Sequence, residues 1–594
     1  MRSSKWVVLS ENFFSVSFNV TSIPFPTCCR HKPDIAAYST AMQAQRWFYA
    51  AHIRRGYNGK EDAKRVQSHL EPRKLEPMAS LKFSRRQFLQ ALSRHLTTAS
   101  GLSLAYGLCN RWDLAKAKEE LQTGKPSYKI APWTGDDFTI GHRLRNHELP
   151  DFPQNAEKEV DFVIVGGGMS GLASAYYLQN HNFLLLEQYD SLGGQSRGST
   201  YRGVDYSYGA AYISTVDGLM GELISDLKLT PAKLQPLKNS WRWENTWAVG
   251  LEGKNKFYSE LKGLLAECKP IWNELHNGIP VPLAGGNLEK LDSTPFRDYI
   301  KSGSPAFVSL IDSYLKASLC GGVDVVSALS AIASLEDLVL PTYVFPGGNQ
   351  ALARAIASKI KGERCVQGFV WSVEIGSNGK SYVIYSGADQ KLHKVACRHV
   401  IITAPPLVAA RILHNIPDAV KADLLGFKYG SYLVANILMR KKKFNGAYDN
   451  FVAPPFSFAD VVVAETPYME QHKYNPDTMG SVLTMYQPYA PSSEGRSVLQ
   501  QGDRSALSAS LVNQMVKLIG PIEKDIETVV LSRWGHALAV TKPGFYARIS
   551  KFNRTANSGY TLAHSSTQGI PCAESAIAAA RLAANRALGK TARS

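Results

Sequence analysis

The sharpest hydrophobic pattern in the chain lies at residues 160–198, VDFVIVGGGMSGLASAYYLQNHNFLLLEQYDSLGGQSRG. Residues 160–165 are a short β-rich run bounded by glycines, which predicts a strand buried on both faces rather than a helix. Residues 170–179 carry a helical pattern, and 183–187 form a second apolar run ending in an acid. Strand, helix and strand in that order predict a βαβ unit with a right-handed crossover. Farther on, a strand opens at Cys365-Val366, and HVIITAPP at 399–406 predicts another ending in a proline corner. From Ala573 onward an Ala-rich, periodic stretch predicts a terminal helix.

Chemistry enters at the first turn. Gly166, Gly168 and Gly171 form G-x-G-x-x-G between strand and helix. In that setting the first glycine permits the turn, the second lets the backbone approach a pyrophosphate, and the third lets helix and strand pack closely. The helix start, with Ser170, offers free N–H groups and a positive dipole end to phosphates. Glu187 lies where a carboxylate accepts ribose hydroxyls, with Gln188 beside it. A dinucleotide is therefore expected here.

Length and charge narrow the class. The 594 residues are 44% apolar and 20% charged, which excludes wholesale disorder. The net charge of +17 is concentrated: residues 1–111 hold 17 Lys/Arg against 6 Asp/Glu, leaving only +6 for the rest. That is an ordinary surface behind a basic leader, so no nucleic-acid partner is expected. No apolar run is long enough for a stable transmembrane anchor. There is no H-E-x-x-H, zinc-spaced Cys/His set or G-x-S-x-G elbow, so no metal centre is expected. A second G-x-G-x-x-G is also missing, which argues against a reductase with two nucleotide domains.

The leader resembles a twin-arginine export signal beginning at Met78, carried by Ser84, Arg85, Arg86, Phe88 and Leu89, with an A-x-A at 115–117. The resemblance implies a signal peptide at 78–117, the twin-arginine translocation machinery as a partner, a periplasmic location and a periplasmic electron acceptor. Residues 1–77 are then a spurious or disordered extension, and 118–157 a linker.

Beyond the acid, Gly193-Gly194-Gln195-Ser196-Arg197 adds a glycine pair followed by a cation. With YVFPGGN at 343–349, HVIITAPP, SRWGHALAVTKPGFY at 532–546 and GYTLAHSSTQGIPCAES from 559, the chain resembles the flavin amine oxidase superfamily, and among its members exported spermidine-dehydrogenase-like flavoproteins. The resemblance implies an α/β fold with a Rossmann-type (GR2-like) FAD-binding domain from 158–215, 345–410 and 550–590. An α+β substrate domain with a mixed sheet would take 216–344 and 411–549. FAD would be held by Gly166, Gly168, Ser170, Gly171, Glu187, Gln188, Gly193, Gly194, Gln195, Arg197, Val366, Ser565 and Ile570. Trp534 and His536 are the catalytic candidates.

The implied activity is oxidation of a small substrate, an amine or polyamine, by hydride transfer to flavin. A lipid or isoprenoid desaturase and a non-catalytic FAD-binding assembly protein are the alternatives. Two departures from the family stand out. Ser565 and Ser566 replace an acid that holds the flavin side chain, and Gly569-Ile570-Pro571 stands where amine oxidases place one of two aromatic rings. Tyr208, Tyr212, Trp241, Trp243 and Trp247 are candidate cavity walls, His564 is a candidate cofactor contact, and Cys572 is the nearest thiol for covalent flavin attachment.

Overall fold

The computed structural model describes residues 126–590 apart from 236–238, 244, 276–285, 301–302, 377, 492 and 555–558. The export motif at 84–89, the A-x-A at 115–117 and the extension 1–77 lie outside the described residues.

The βαβ unit is built from the strand Lys158–Val165, the helix Met169–Tyr177 and the strand Phe183–Glu187. Both strands are buried on both faces because alternate residues enter two different cores. Phe162, Ile164 and Leu185 pack with Ala175, Ala579 and Ala583, while Val163, Val165 and Leu186 pack with Val373, Val400 and Ile402. These strands sit mid-sheet, in the order 381–387, 365–375, 183–187, 158–165, 392–402, 560–562. The last five run parallel, and the strand Ser381–Gly387 is an antiparallel excursion pairing with both 365–375 and 392–402. The helix Ala573–Ala587 closes this layer against Met169–Tyr177.

A second sheet of nine strands is mixed. Its centre is the strand Tyr429–Met439, buried along its whole length between Ser481–Tyr489 and Ile526–Ala539. One face packs Leu433, Ala435 and Ile437 against Leu507, Leu511 and Met515 of the helix Arg504–Ile519. The other face carries Trp534, Tyr432, Val434, Phe451 and Trp241 toward the helices Lys256–Leu275, Pro305–Leu319 and Ala328–Leu335.

Two boundaries differ from the sequence expectation. The presumed linker 118–157 contains the strands Lys129–Ile130 and Thr134–Gly135, which pair with Ile526–Ala539, and the helix Thr139–Arg145. Strands of two residues have no periodicity to read, so only the pairing reveals them. The crossing to the second sheet comes after residue 425 rather than 410. Leu413–His414 still pairs with 365–375, and the helix Asp418–Leu425 packs on Pro406–Ile412.

Away from the cavity described below, His399 bonds through Nε2 to Thr561 Oγ1 at 2.8 Å. Burial, helped by Arg398, pushes its pKa down to about 4. The unfolded chain therefore protonates first as pH falls, and the stabilisation is complete above about pH 6.5 and lost on the way down to about 4. His399→Gln is expected to flatten this part of the stability profile. Between pH 6.5 and 4.5 the wild type should lose up to about 2 to 3 kcal/mol more than the variant in urea titrations.

Candidate functional site

The glycine turn opens into a cavity of about 960 Å³, lined from both sheets. Its floor is set by close backbone contacts. At Gly171 an added Cβ would fall 1.8 Å from the Gly166 carbonyl oxygen, so only glycine lets the helix start this near the strand. At Gly168 the nearest heavy atom to an added Cβ is the Gly194 Cα, 3.9 Å away, so the space above it is open. Gly168 is the N-cap of Met169–Tyr177 and no side chain caps that helix, which leaves its first N–H groups free for an anion. The Ser170 hydroxyl is committed to the Ala563 carbonyl and ties the helix start to the closing strand.

The second glycine pair lies directly on this turn. Gly193 N–H donates to the Gly167 carbonyl at 2.8 Å, and Gly194 has φ +54 with an added Cβ 3.0 Å from the Gly168 Cα. Glu187 is buried beside them. Its Oε2 accepts from Gly167 N–H at 2.6 Å and its Oε1 from Tyr189 N–H at 3.1 Å. Burial pulls the Glu187 pKa up while these N–H groups and Arg197 pull it down, with burial the stronger. The carboxylate thus holds the loop as well as facing the cavity.

Of the sequence-predicted residues, Gly166, Gly168, Ser170, Glu187, Gln188, Gly193, Gly194, Gln195, Arg197, Trp534, His536, Ser565 and Ile570 line the cavity together. Gly171 does not line it and acts through helix packing. Val366 is a correction. It pairs with Leu186, packs among the apolar side chains beside that strand, and stops short of the cavity, which Gly368, Phe369 and Val370 line instead. Of the candidate aromatic walls only Tyr212 lines it. Trp241 and Trp243 are core, Trp247 packs on Phe444, and Tyr208 contributes its carbonyl to Trp534 Nε1 at 2.7 Å. Cys572 faces the cavity, but its Sγ caps the last helix by accepting from Ser575 N–H.

Arg197 joins three parts of the wall. Its Nε donates to the Gly194 carbonyl at 3.0 Å, its NH2 nitrogen donates to the Gly135 carbonyl at 2.9 Å, and its guanidinium lies over the rings of Tyr189 and Trp534. Asp136, which the sequence reading passed over, accepts from Gly535 N–H at 2.8 Å, and burial raises its pKa. His536 and His564 flank the Tyr429 ring at 5.9 and 6.2 Å. Burial pushes both imidazoles down to about 4, with Arg496 and Arg411 adding to the effect at His536, so both are neutral at pH 7. Tyr432, Asp449, Asp460 and Tyr486 also line the cavity and were missed. The available signal was an acid heading the apolar run 461–463 inside a strand pattern.

These features fit a dinucleotide. The open strip over Gly168 and Gly194, the uncapped helix start and the Glu187 carboxylate can hold the pyrophosphate and ribose of FAD, leaving the walls around Trp534 and Tyr432 for a substrate. Among the described residues, no group of three or more His, Cys, Asp or Glu is placed to hold a metal, and no helix is long and apolar enough to cross a membrane.

Comparison with known proteins agrees with this geometry. Putrescine oxidase in its complex with putrescine superposes with a TM-score of 0.58 at 17% identity, covering 73% of this chain and 99% of that one. Cyclohexylamine oxidase from Brevibacterium oxydans IH-35A gives 0.56 at 17% identity, covering 72% and 99%. The pig amine oxidase [flavin-containing] A is 36% identical over 90 residues, which span 15% of this chain and 17% of that relative. The family model for flavin-containing amine oxidoreductases matches residues 169–588, from the start of the helix Met169–Tyr177 to just past the helix Ala573–Ala587. The chain belongs to the flavin-containing amine oxidoreductase family, whose members are FAD-dependent oxidoreductases.

Proposed function

We propose that this chain oxidises amines, polyamines among them, with FAD as the oxidant, after export by the twin-arginine route that residues 84–89 suggest. The observation that carries the amine reading is the cavity itself, which runs from the dinucleotide cradle into an aromatic wall of Trp534, Tyr432 and Tyr486. FAD supplies a hydride acceptor when bound. The chain supplies position and environment. An amine must give up hydride as the neutral base, and a buried wall lowers its pKa by desolvation. His536 and His564, neutral above about pH 4, add no positive charge beside an arriving ammonium. Trp534 is fixed by its bond to the Tyr208 carbonyl and can act as a rigid positioning surface.

The test is anaerobic bleaching of the flavin absorbance by a panel of monoamines, polyamines and apolar alkenes. Amines are expected to bleach it and alkenes are not. Trp534→Ala is expected to lower the reduction rate per bound flavin roughly tenfold or more, through lost positioning. Bleaching by alkenes alone would overturn the reading in favour of a desaturase. Equal normalised rates would remove Trp534 from the site.

A further inference from the structure

The chain ahead of the βαβ unit runs along the edge of the second sheet and then crosses to the first. Lys129–Ile130 and Thr134–Gly135 pair in parallel with Ile526–Ala539, and the Asp136 N–H donates to the Arg533 carbonyl at 2.7 Å. The helix Thr139–Arg145 sends its one buried side chain, Leu144, into the core of the first sheet beside Val370 and Trp371. Between these two anchors Asp136, Asp137, Gly141, His142 and Arg145 line the cavity. All of this precedes residues 169–588, so the family match assigns it no role. Terminal segments stay loose unless something ties them down, and here the ties converge on the loop that presents the dinucleotide site.

That loop has two handles. Tyr189, just past Glu187, accepts from the Asp137 N–H through its hydroxyl at 2.8 Å. Arg197 donates to the Gly135 carbonyl at 2.9 Å and to the Gly194 carbonyl at 3.0 Å, with its guanidinium 4.5 Å from the centre of the Tyr189 ring. The ribose acid and the second glycine pair are therefore both steadied by the segment, one through Tyr189 and the other through Arg197.

We propose that residues 134–145 are a clasp for the cofactor: docked across the two sheets, they hold the loop 187–197 in its FAD-binding shape, and their undocking sets how fast FAD leaves. This goes beyond the amine reading and does not depend on it.

The segment is the part of the cavity wall that can open by itself. Two strands of two residues at a sheet edge and a helix of seven residues with one buried side chain bury little, so opening them costs far less than unfolding either core. A helix that short does not persist once undocked. Docking is demanding at one point. Gly135 has φ +86, and a Cβ there would lie 2.4 Å from the Arg533 carbonyl oxygen and 2.8 Å from its nitrogen. Gly135 does not itself line the cavity, so a substitution there acts on docking and not on the cofactor. By linkage, FAD that binds the docked state more tightly must also favour docking.

The test uses the full chain, FAD-loaded and FAD-free. Flavin fluorescence gained after dilution reads FAD release, and amide hydrogen exchange reads the segment. Saturating FAD is expected to slow exchange across 129–145 in the wild type roughly tenfold or more. Gly135→Ala is expected to speed both FAD release and that exchange roughly tenfold or more, as overpacking against backbone does. Tyr189→Phe keeps the ring under Arg197 and loses only the acceptor, so it should speed both roughly 2- to 10-fold, the worth of one hydrogen bond. The urea midpoint of FAD-free Gly135→Ala should stay near that of the FAD-free wild type. Faster exchange in Gly135→Ala with FAD release at the wild-type rate makes the segment a passive cover and overturns the clasp. A urea midpoint that falls in step with FAD retention overturns it in favour of a structural role. FAD binding that leaves exchange across 129–145 unchanged also overturns it. So does faster release from Tyr189→Phe without faster exchange, which makes that hydroxyl a direct cofactor contact. If Gly135→Ala does not fold, Tyr189→Phe and the wild-type exchange decide the question.

Discussion

Gly171→Ala is expected to cost both the flavin and part of the fold, whereas Gly168→Val should cost the flavin alone. The difference follows from what each new side chain meets. At Gly171 the Cβ would lie 1.8 Å from the Gly166 carbonyl oxygen and 2.9 Å from its carbon. Both atoms are backbone and neither can turn aside. The helix Met169–Tyr177 would have to lift off the strand, disturbing Leu172 and Ala173 in one core and Ala175 in another. That is expected to lower unfolding stability by more than about 3 kcal/mol, since overpacking and backbone displacement combine. At Gly168 the backbone is extended, with φ −70, and the space is open. Valine there fills the approach to the phosphates, its Cβ meeting the Gly194 Cα only at ordinary contact distance. Flavin absorbance of the purified variants and urea titration of the FAD-free forms separate the two. Gly168→Val should lack flavin and unfold with the FAD-free wild type. Retained flavin with wild-type stability in Gly171→Ala would refute the packing argument.

The same contrast explains how far the sequence could be read. Glycines at fixed spacing and an acid closing an apolar run are local signals, and the strand Phe183–Glu187 begins and ends where its hydrophobic pattern does. The last helix starts at Ala573 as its composition indicates. What could not be read is set by pairing between distant segments. Asp136 enters the cavity only because two-residue strands dock on Ile526–Ala539 from nearly 400 positions away. Val366, which the family resemblance places at the cofactor, stands level with Leu186, and Gly368 is the first residue past the level of Glu187. A shift of one or two rungs is a few ångströms along a strand, and no composition encodes it. Asp460 carried a faint signal, but its meaning depends on Asp449 and Tyr486 beside it, which strand register alone decides.

Glu187 shows how the structure enlarges a sequence-level expectation. As a ribose acceptor alone, its loss should weaken FAD by one lost set of hydrogen bonds. The carboxylate also takes N–H groups from Gly167 and Tyr189, so Glu187→Ala strips two buried donors of their acceptor before any ligand arrives. Each unsatisfied donor costs about 1 to 3 kcal/mol. The FAD-free protein should therefore lose a few kcal/mol in urea titration, and FAD affinity should fall roughly 100-fold or more, because the loop that presents Gly168 and Gly194 is loosened with it. Glu187→Gln keeps one carbonyl oxygen for Gly167 N–H while turning an amide donor toward Tyr189 N–H. It should recover about half of the lost stability and less of the affinity. Fluorescence titration of FAD into the FAD-free variants gives the second quantity directly. Were Glu187→Ala as stable as the wild type and weakened only in FAD binding, the carboxylate would be a ligand contact and nothing more, and the loop would be held by its glycines alone.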